Sequence, residues 1–140
     1  MYAHGLILPV LVLVAWSILV WLWMIASRVT VMRRDRIHPQ KAVRTREFAT
    51  SGREQWVADN YNHLMEQPTI FYAAALAAHA AGQGDAINVG LAWTYVAVRI
   101  VHTVIQTTTN IVMWRFYMFI LSTLALAAMV VRTLIGMFAA

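Results

Sequence analysis

Residues 6–26 read LILPVLVLVAWSILVWLWMIA, twenty-one residues with no charge among them. A bilayer's hydrocarbon core needs about 20 consecutive apolar residues to be crossed by a helix. The run is too long for the apolar part of a secretory signal peptide. Its charges also follow it rather than precede it. It therefore reads as a membrane span, and the rest of the chain is read outward from it.

The chain has 140 residues, enough for one domain, 1–140. Hydrophobic residues make up 61% and charged residues 12%, against roughly 45–50% and about 25% in soluble domains. That balance points to an all-α integral membrane protein. Further spans are expected at about 56–81, 86–110 and 116–138, after the first at 6–27. Residues 82–85, GQGD, form the tight turn between the second and third. Small residues in AAALAAHAA (73–81) suit close helix contact in lipid.

The formal net charge is +5, and it is concentrated. Eight of the eleven Lys and Arg residues lie between Arg28 and Arg53. Basic loops beside membrane spans stay in the cytoplasm, so the 28–55 loop is expected there, with both termini on the other side. This placement argues against a nucleic-acid partner for the basic block. The loop is expected to hold an interfacial helix or to fold back. There is no cysteine, which excludes disulfides and a thiolate nucleophile of the chain's own. Any thiol chemistry must use a thiol from outside.

Two polar stripes interrupt the apolar spans. At 100° per residue, Asp59, Asn62, His63 and Glu66 fall within an arc of about 100° on the second helix. Arg99, His102, Gln106 and Asn110 share an arc of similar width on the third. Glu66 and Arg99 each lie about 15 Å from the cytoplasmic boundary at 1.5 Å per residue. An ionisable group at that depth is costly unless paired, so a buried Glu66–Arg99 ion pair is expected. Such a seam either joins helices by hydrogen bonds or lines a cavity for a charged ligand. Glu66 and Arg99 fit the first role. His102, Gln106, Asn110 and Arg115 extend towards the cytoplasmic face and fit the second. His79 is expected to make an interfacial hydrogen bond, and His4 and His38 to be solvated. Tyr95, Trp114 and Tyr117 read as packing or interfacial aromatics. Pro68 is expected to kink the second helix.

Two segments carry a resemblance. NYNHLMEQPTIFY (60–72) looks like the second-helix signature of the MAPEG superfamily, the membrane-associated proteins in eicosanoid and glutathione metabolism. WTYVAVRIVHTVIQTTTNIVMWRFYMF (93–119) is similar to its third-to-fourth-helix signature. The resemblance covers nearly the whole chain and suggests a bacterial-type member in an inner membrane. It implies a four-helix bundle protomer assembled as a homotrimer, with glutathione as co-substrate between protomers. The implied activity is a glutathione-dependent transferase or peroxidase acting on lipophilic electrophiles. Carried over by position, Glu66 contacts the glutathione amino group or braces the site. Arg99 and His102 hold its carboxylates or pack the pocket, and Arg115 stabilises the thiolate. Asn62, His63, Gln106 and Asn110 complete the ligand-binding set. The alternative is a non-catalytic protein of the same fold, serving as an accessory or lipid-binding subunit of a larger membrane complex. Two departures are visible: His63 stands at the signature's Asn position, and WVADN (56–60) replaces its Arg-Ala part.

Overall fold

The computed structural model describes residues 5–36, 38 and 53–139. Within them the chain is all helix: α1 (Ile7–Arg34), α2 (Arg53–Ala80), α3 (Ala86–Thr108) and α4 (Val112–Phe138). His4 and the loop segment 39–52 lie outside the described residues. The expectation of an interfacial helix or fold-back there lies outside them too.

Three of the helices, α1, α3 and α4, are long and apolar enough to cross a membrane. At 28 residues α2 is as long as α1, but Arg53, Glu54, Asp59, His63 and Glu66 make its first half polar. The helix runs unbroken through the buried Pro68, although proline supplies no N–H to the carbonyl four residues back.

Each helix end has a local cause. After α2, Gly82 takes φ 71°, the left-handed conformation glycine adopts without steric cost. The Gln83 N–H then reaches the Ala78 carbonyl at 2.9 Å and the Gly82 N–H reaches that of His79 at 3.0 Å. This is a Schellman motif, which satisfies carbonyls the helix would leave open. Asp85 starts α3 as its N-cap, accepting the Asn88 N–H at 2.8 Å. Between α3 and α4, Asn110 takes φ 51°. Asparagine is one of the few residues other than glycine that visit this region routinely. The N–H groups of Thr109 and Asn110 converge on the Ile105 carbonyl at 3.1 and 2.7 Å.

The main core gathers Leu6, Val10, Leu13, Phe71, Ala75, Ala92, Tyr95, Leu126 and Met129. Phe71 and Tyr95 stack at 4.3 Å with their planes 12° apart. A second small cluster, Met24 with Val57 and Ala58, joins α1 to the start of α2. The most extensive helix pair is α3 with α4. At the GQGD end, Arg132 of α4 donates to Asp85 at 2.7 Å and to Asn88 at 3.3 Å. The Asn88 amide in turn donates to the Gln83 carbonyl at 2.8 Å. The turn is thus tied to the last helix.

On α2 the buried positions are Val57, Ala58, Asn60, Leu64, Pro68, Phe71, Ala75 and Ala78. Their three-to-four spacing marks one inward stripe. Glu66 and Asn62 lie nearly on the opposite side of the helix, and both are exposed. The buried Glu66–Arg99 pair expected from depth is therefore not formed. The level was right: Asn60 meets Gln106, His63 meets His102, and Phe71 meets Tyr95. By that register Glu66 stands opposite Arg99 along the helix axes. It points away from Arg99, because the inward stripe of α2 runs through Asn60, Leu64, Pro68 and Phe71.

A candidate polar site between α2, α3 and α4

The inward face of α3 carries Tyr95, Arg99, His102, Thr103, Gln106 and Thr107, all buried. Arg99 is 2% exposed. Its Nε donates to the Tyr95 hydroxyl at 3.3 Å. Its guanidinium carbon lies 5.6 Å from the Tyr95 ring centre and 5.3 Å from that of Phe119. Both distances suit cation–π attraction. Among the described residues its Nη2 has no hydrogen-bond partner and no carboxylate pairs with it. A buried guanidinium without an acid is a high-energy arrangement, since desolvation is offset only by the rings and one hydroxyl.

Closer to the α3–α4 turn, Asn60 donates to Gln106 at 3.0 Å across the α2–α3 interface. Both side chains are fully buried. Asn60 Oδ1, Gln106 Nε2 and Thr103 Oγ1 find no partner among the described residues. At the same end Arg115 of α4 donates from Nη1 to Asn110 Oδ1 at 2.8 Å. Its Nη2 lies 3.4 Å from His63 Nε2, and its Nε is buried and unpartnered. On its other side His63 Nδ1 is 3.3 Å from Glu66 Oε2. The His63 ring meets the His102 ring edge-on at 6.2 Å. His102 itself is buried, 5% exposed.

The sequence-derived candidates thus divide. Arg99, His102 and Gln106 line the interior; Arg115, Asn110, His63 and Glu66 form a connected chain at its rim. Asn62 joins neither group and faces outward. Five contributors went unread in the sequence: Asn60, Gln67, Thr103, Thr123 and Phe119. Gln67 donates to Thr123 Oγ1 at 2.6 Å, linking α2 to α4. Asn60 and Gln67 lie on the side of α2 marked by Leu64 and Phe71. The spacing of those large apolar residues was the signal that could have found them.

The profile of the MAPEG family matches residues 6–135. The chain belongs to the MAPEG family. It is therefore a helical membrane protein of the superfamily named for eicosanoid and glutathione metabolism. Comparison with curated proteins and with solved structures gives no match. Among MAPEG features, the match spans both polar stripes and the arginine beyond the α3–α4 turn.

Chemically, the tract can bind an anion. It offers two guanidiniums, the amide of Gln106 and the hydroxyl of Thr103, and the acid nearest to it, Glu66, is 68% exposed in its side chain.

Proposed function

We propose that this MAPEG protein binds glutathione in the tract between α2, α3 and α4 and presents its thiolate to lipophilic electrophiles. The observation that carries this is Arg99, buried with no carboxylate opposite it among the described residues. Glutathione has two carboxylates and one thiol. A carboxylate against Arg99 supplies the anion the guanidinium lacks, in the bidentate geometry arginine favours. Arg115, at the rim, is the group for the sulfur. A free thiol ionises near pH 8.5, and an adjacent cation shifts it towards the reactive anion. The thiolate then forms a C–S bond with the electrophile as the leaving group departs or a double bond opens. With a peroxide it instead attacks oxygen, the O–O bond breaks to release an alcohol, and a second glutathione thiol displaces water from the resulting sulfenic acid to give the disulfide. His102 and Gln106 pack the ligand, and His63, Glu66 and Asn110 hold Arg115.

The protomer is proposed to cross the bilayer four times, at 6–27, 56–81, 86–110 and 116–138. Both termini lie away from the cytoplasm, in the inner membrane of a bacterial cell. A homotrimer is supported by Asn62 and Glu66: they are polar, point outward from α2, and would meet lipid in an isolated protomer. A neighbouring copy covers them.

The test is titration of detergent-solubilised protein with glutathione, read by calorimetry and by thiolate ultraviolet absorbance. Arg99→Leu is expected to abolish binding. Arg115→Ala is expected to keep binding and lose the thiolate signal. Absence of both heat and thiolate signal at millimolar glutathione overturns the proposal.

One observation favours a second function, a lipid-binding accessory subunit. A groove of about 400 Å³ between α1 and α2 is lined by Val14, Ile18, Trp21, Tyr61 and Met65. Its shape and apolarity suit an acyl chain. Copurification of a stoichiometric lipid or partner complex, together with full tolerance of Arg115→Ala, would favour it.

A further inference from the structure

We infer that His63 is a positioning residue: anchored on Glu66 as a neutral imidazole protonated at Nδ1, it holds the Arg115 guanidinium, and proton uptake by its ring releases Arg115. The functional consequence rests on Arg115 serving the thiolate; the contact and its protonation state do not.

The reasoning begins with donors and acceptors. A guanidinium has five N–H donors and no acceptor. Arg115 Nη2 lies 3.4 Å from His63 Nε2, so Nε2 must offer its lone pair. The one proton of a neutral ring is then on Nδ1. There it faces Glu66 Oε2 at 3.3 Å, an acceptor. Only one protonation state satisfies both contacts. The second hold on Arg115, Asn110 Oδ1 at 2.8 Å, comes from the α3–α4 turn. The guanidinium is thus pinned between α2 and that turn, and the imidazole is the member of the chain whose acceptor nitrogen can become a donor by taking up a proton.

Protonation of the ring puts a second N–H where the lone pair was. Two donors and two like charges then face each other, and the bond is lost. The groups that bear on this step come from three helices. Glu66 on α2 faces Nδ1. Arg115 on α4 faces Nε2, and Arg99 on α3 lies one turn from the His102 ring. His102 itself meets the ring edge-on. One turn back on α2, Asp59 is engaged by Gln55 at 2.8 Å. The contacts of α1 here are apolar, through Met24 against Val57 and Ala58.

The experiment is a pH titration of ¹⁵N-histidine, ¹⁵N-arginine protein in micelles, without ligand, followed by NMR. His63→Gln identifies the His63 signals. Glutamine can accept from Arg115 and donate to Glu66 but cannot take up a proton. At the alkaline end His63 is expected as the Nδ1–H tautomer, and the Arg115 signals are expected to move in step with its titration. In His63→Gln that movement is lost. With glutathione bound, His63→Gln removes the His63-linked step from the thiolate pH profile, and His63→Leu lowers the whole profile. An Nε2–H tautomer, or Arg115 signals indifferent to the His63 titration, overturns the inference even if His63→Gln does not fold. If wild-type protein shows no thiolate signal while Arg115 still follows His63, the glutathione assignment fails and the positioning role stands.

Discussion

Arg99 concentrates the energetics of this protein in one side chain. It is buried, its cation rests on two aromatic faces, and Nη2 has no partner among the described residues. Replacing buried ionic groups by apolar residues of similar volume is often neutral or stabilising, by up to about 4 kcal/mol for whole ion pairs. Arg99→Met is therefore expected to raise the ligand-free Tm in detergent while glutathione affinity falls at least about tenfold, ~1.4 kcal/mol. Thermal unfolding and calorimetry on the same samples check both halves. Glu66 and Arg99 are also expected to be energetically independent. A double-mutant cycle of Glu66→Gln and Arg99→Leu should show coupling below about 0.5 kcal/mol; a coupling of 2 kcal/mol or so would revive a direct pair. Asn110 has two separable duties, the left-handed backbone and the Arg115 bond. Asn110→Gly is expected to keep the turn and free Arg115. Asn110→Ala loses both, with about 1–2 kcal/mol of added backbone strain. Tm for the two variants, read beside the Arg115 NMR signals, separates these effects.

At the scale of helices, the two ends of the bundle are built differently. The end near Arg115 is held by side chains that serve the candidate site. The GQGD end is held by a clamp with no such duty: Arg132 to Asp85 and Asn88, over a Schellman turn. The Asp85 carboxyl is held below its usual range, chiefly by the Asn88 N–H, against an opposing effect of burial, with Arg132 adding to the lowering. A depressed native value means the carboxylate stabilises the fold at pH above its unfolded value, near 3.9. That contribution is lost as pH falls through the lower native value. Asp85→Ala is expected to cost about 1 kcal/mol as a lost N-cap. It should also flatten the acid side of the stability profile, measured by unfolding between pH 7 and pH 2. The exposed Arg132–Asp85 bridge adds little by itself, about 0–1 kcal/mol. This clamp is not legible in the sequence, since Arg132 lies 44 residues from Asn88 and 47 from Asp85 and the three belong to no repeating pattern.

For the whole molecule, the outward polar face of α2 is the feature that an isolated protomer leaves unexplained. Asn62 and Glu66 lie on it, away from the core that Phe71 and Leu64 define. If copies of the chain cover this face, native mass spectrometry in mild detergent should give three copies, and Glu66→Leu should change the distribution of oligomers. A monomer throughout would remove the main support for assembly at α2. The candidate site was partly legible before the fold: Arg99, His102 and Gln106 do share the inward face of α3. Asn60 and Gln67 were not, because a single polar residue beside a charged stripe carries no direction of its own, and only its place beside Leu64 and Phe71 marks it as inward.

What the sequence by itself determined is the all-helical membrane class, the family, and the level of each polar residue along its helix. Those follow from uninterrupted apolar runs, from motif residues, and from the constant 1.5 Å rise of a helix. Only the tertiary structure decided azimuth: that Glu66 turns outward to His63 while Arg99 turns inward to Tyr95 and Phe119. In a soluble helix the polar face marks the outside. In lipid the outer surface is as apolar as the core, so that marker is lost, and the rotation of α2 is set by how Leu64, Phe71 and Ala75 pack against the other helices.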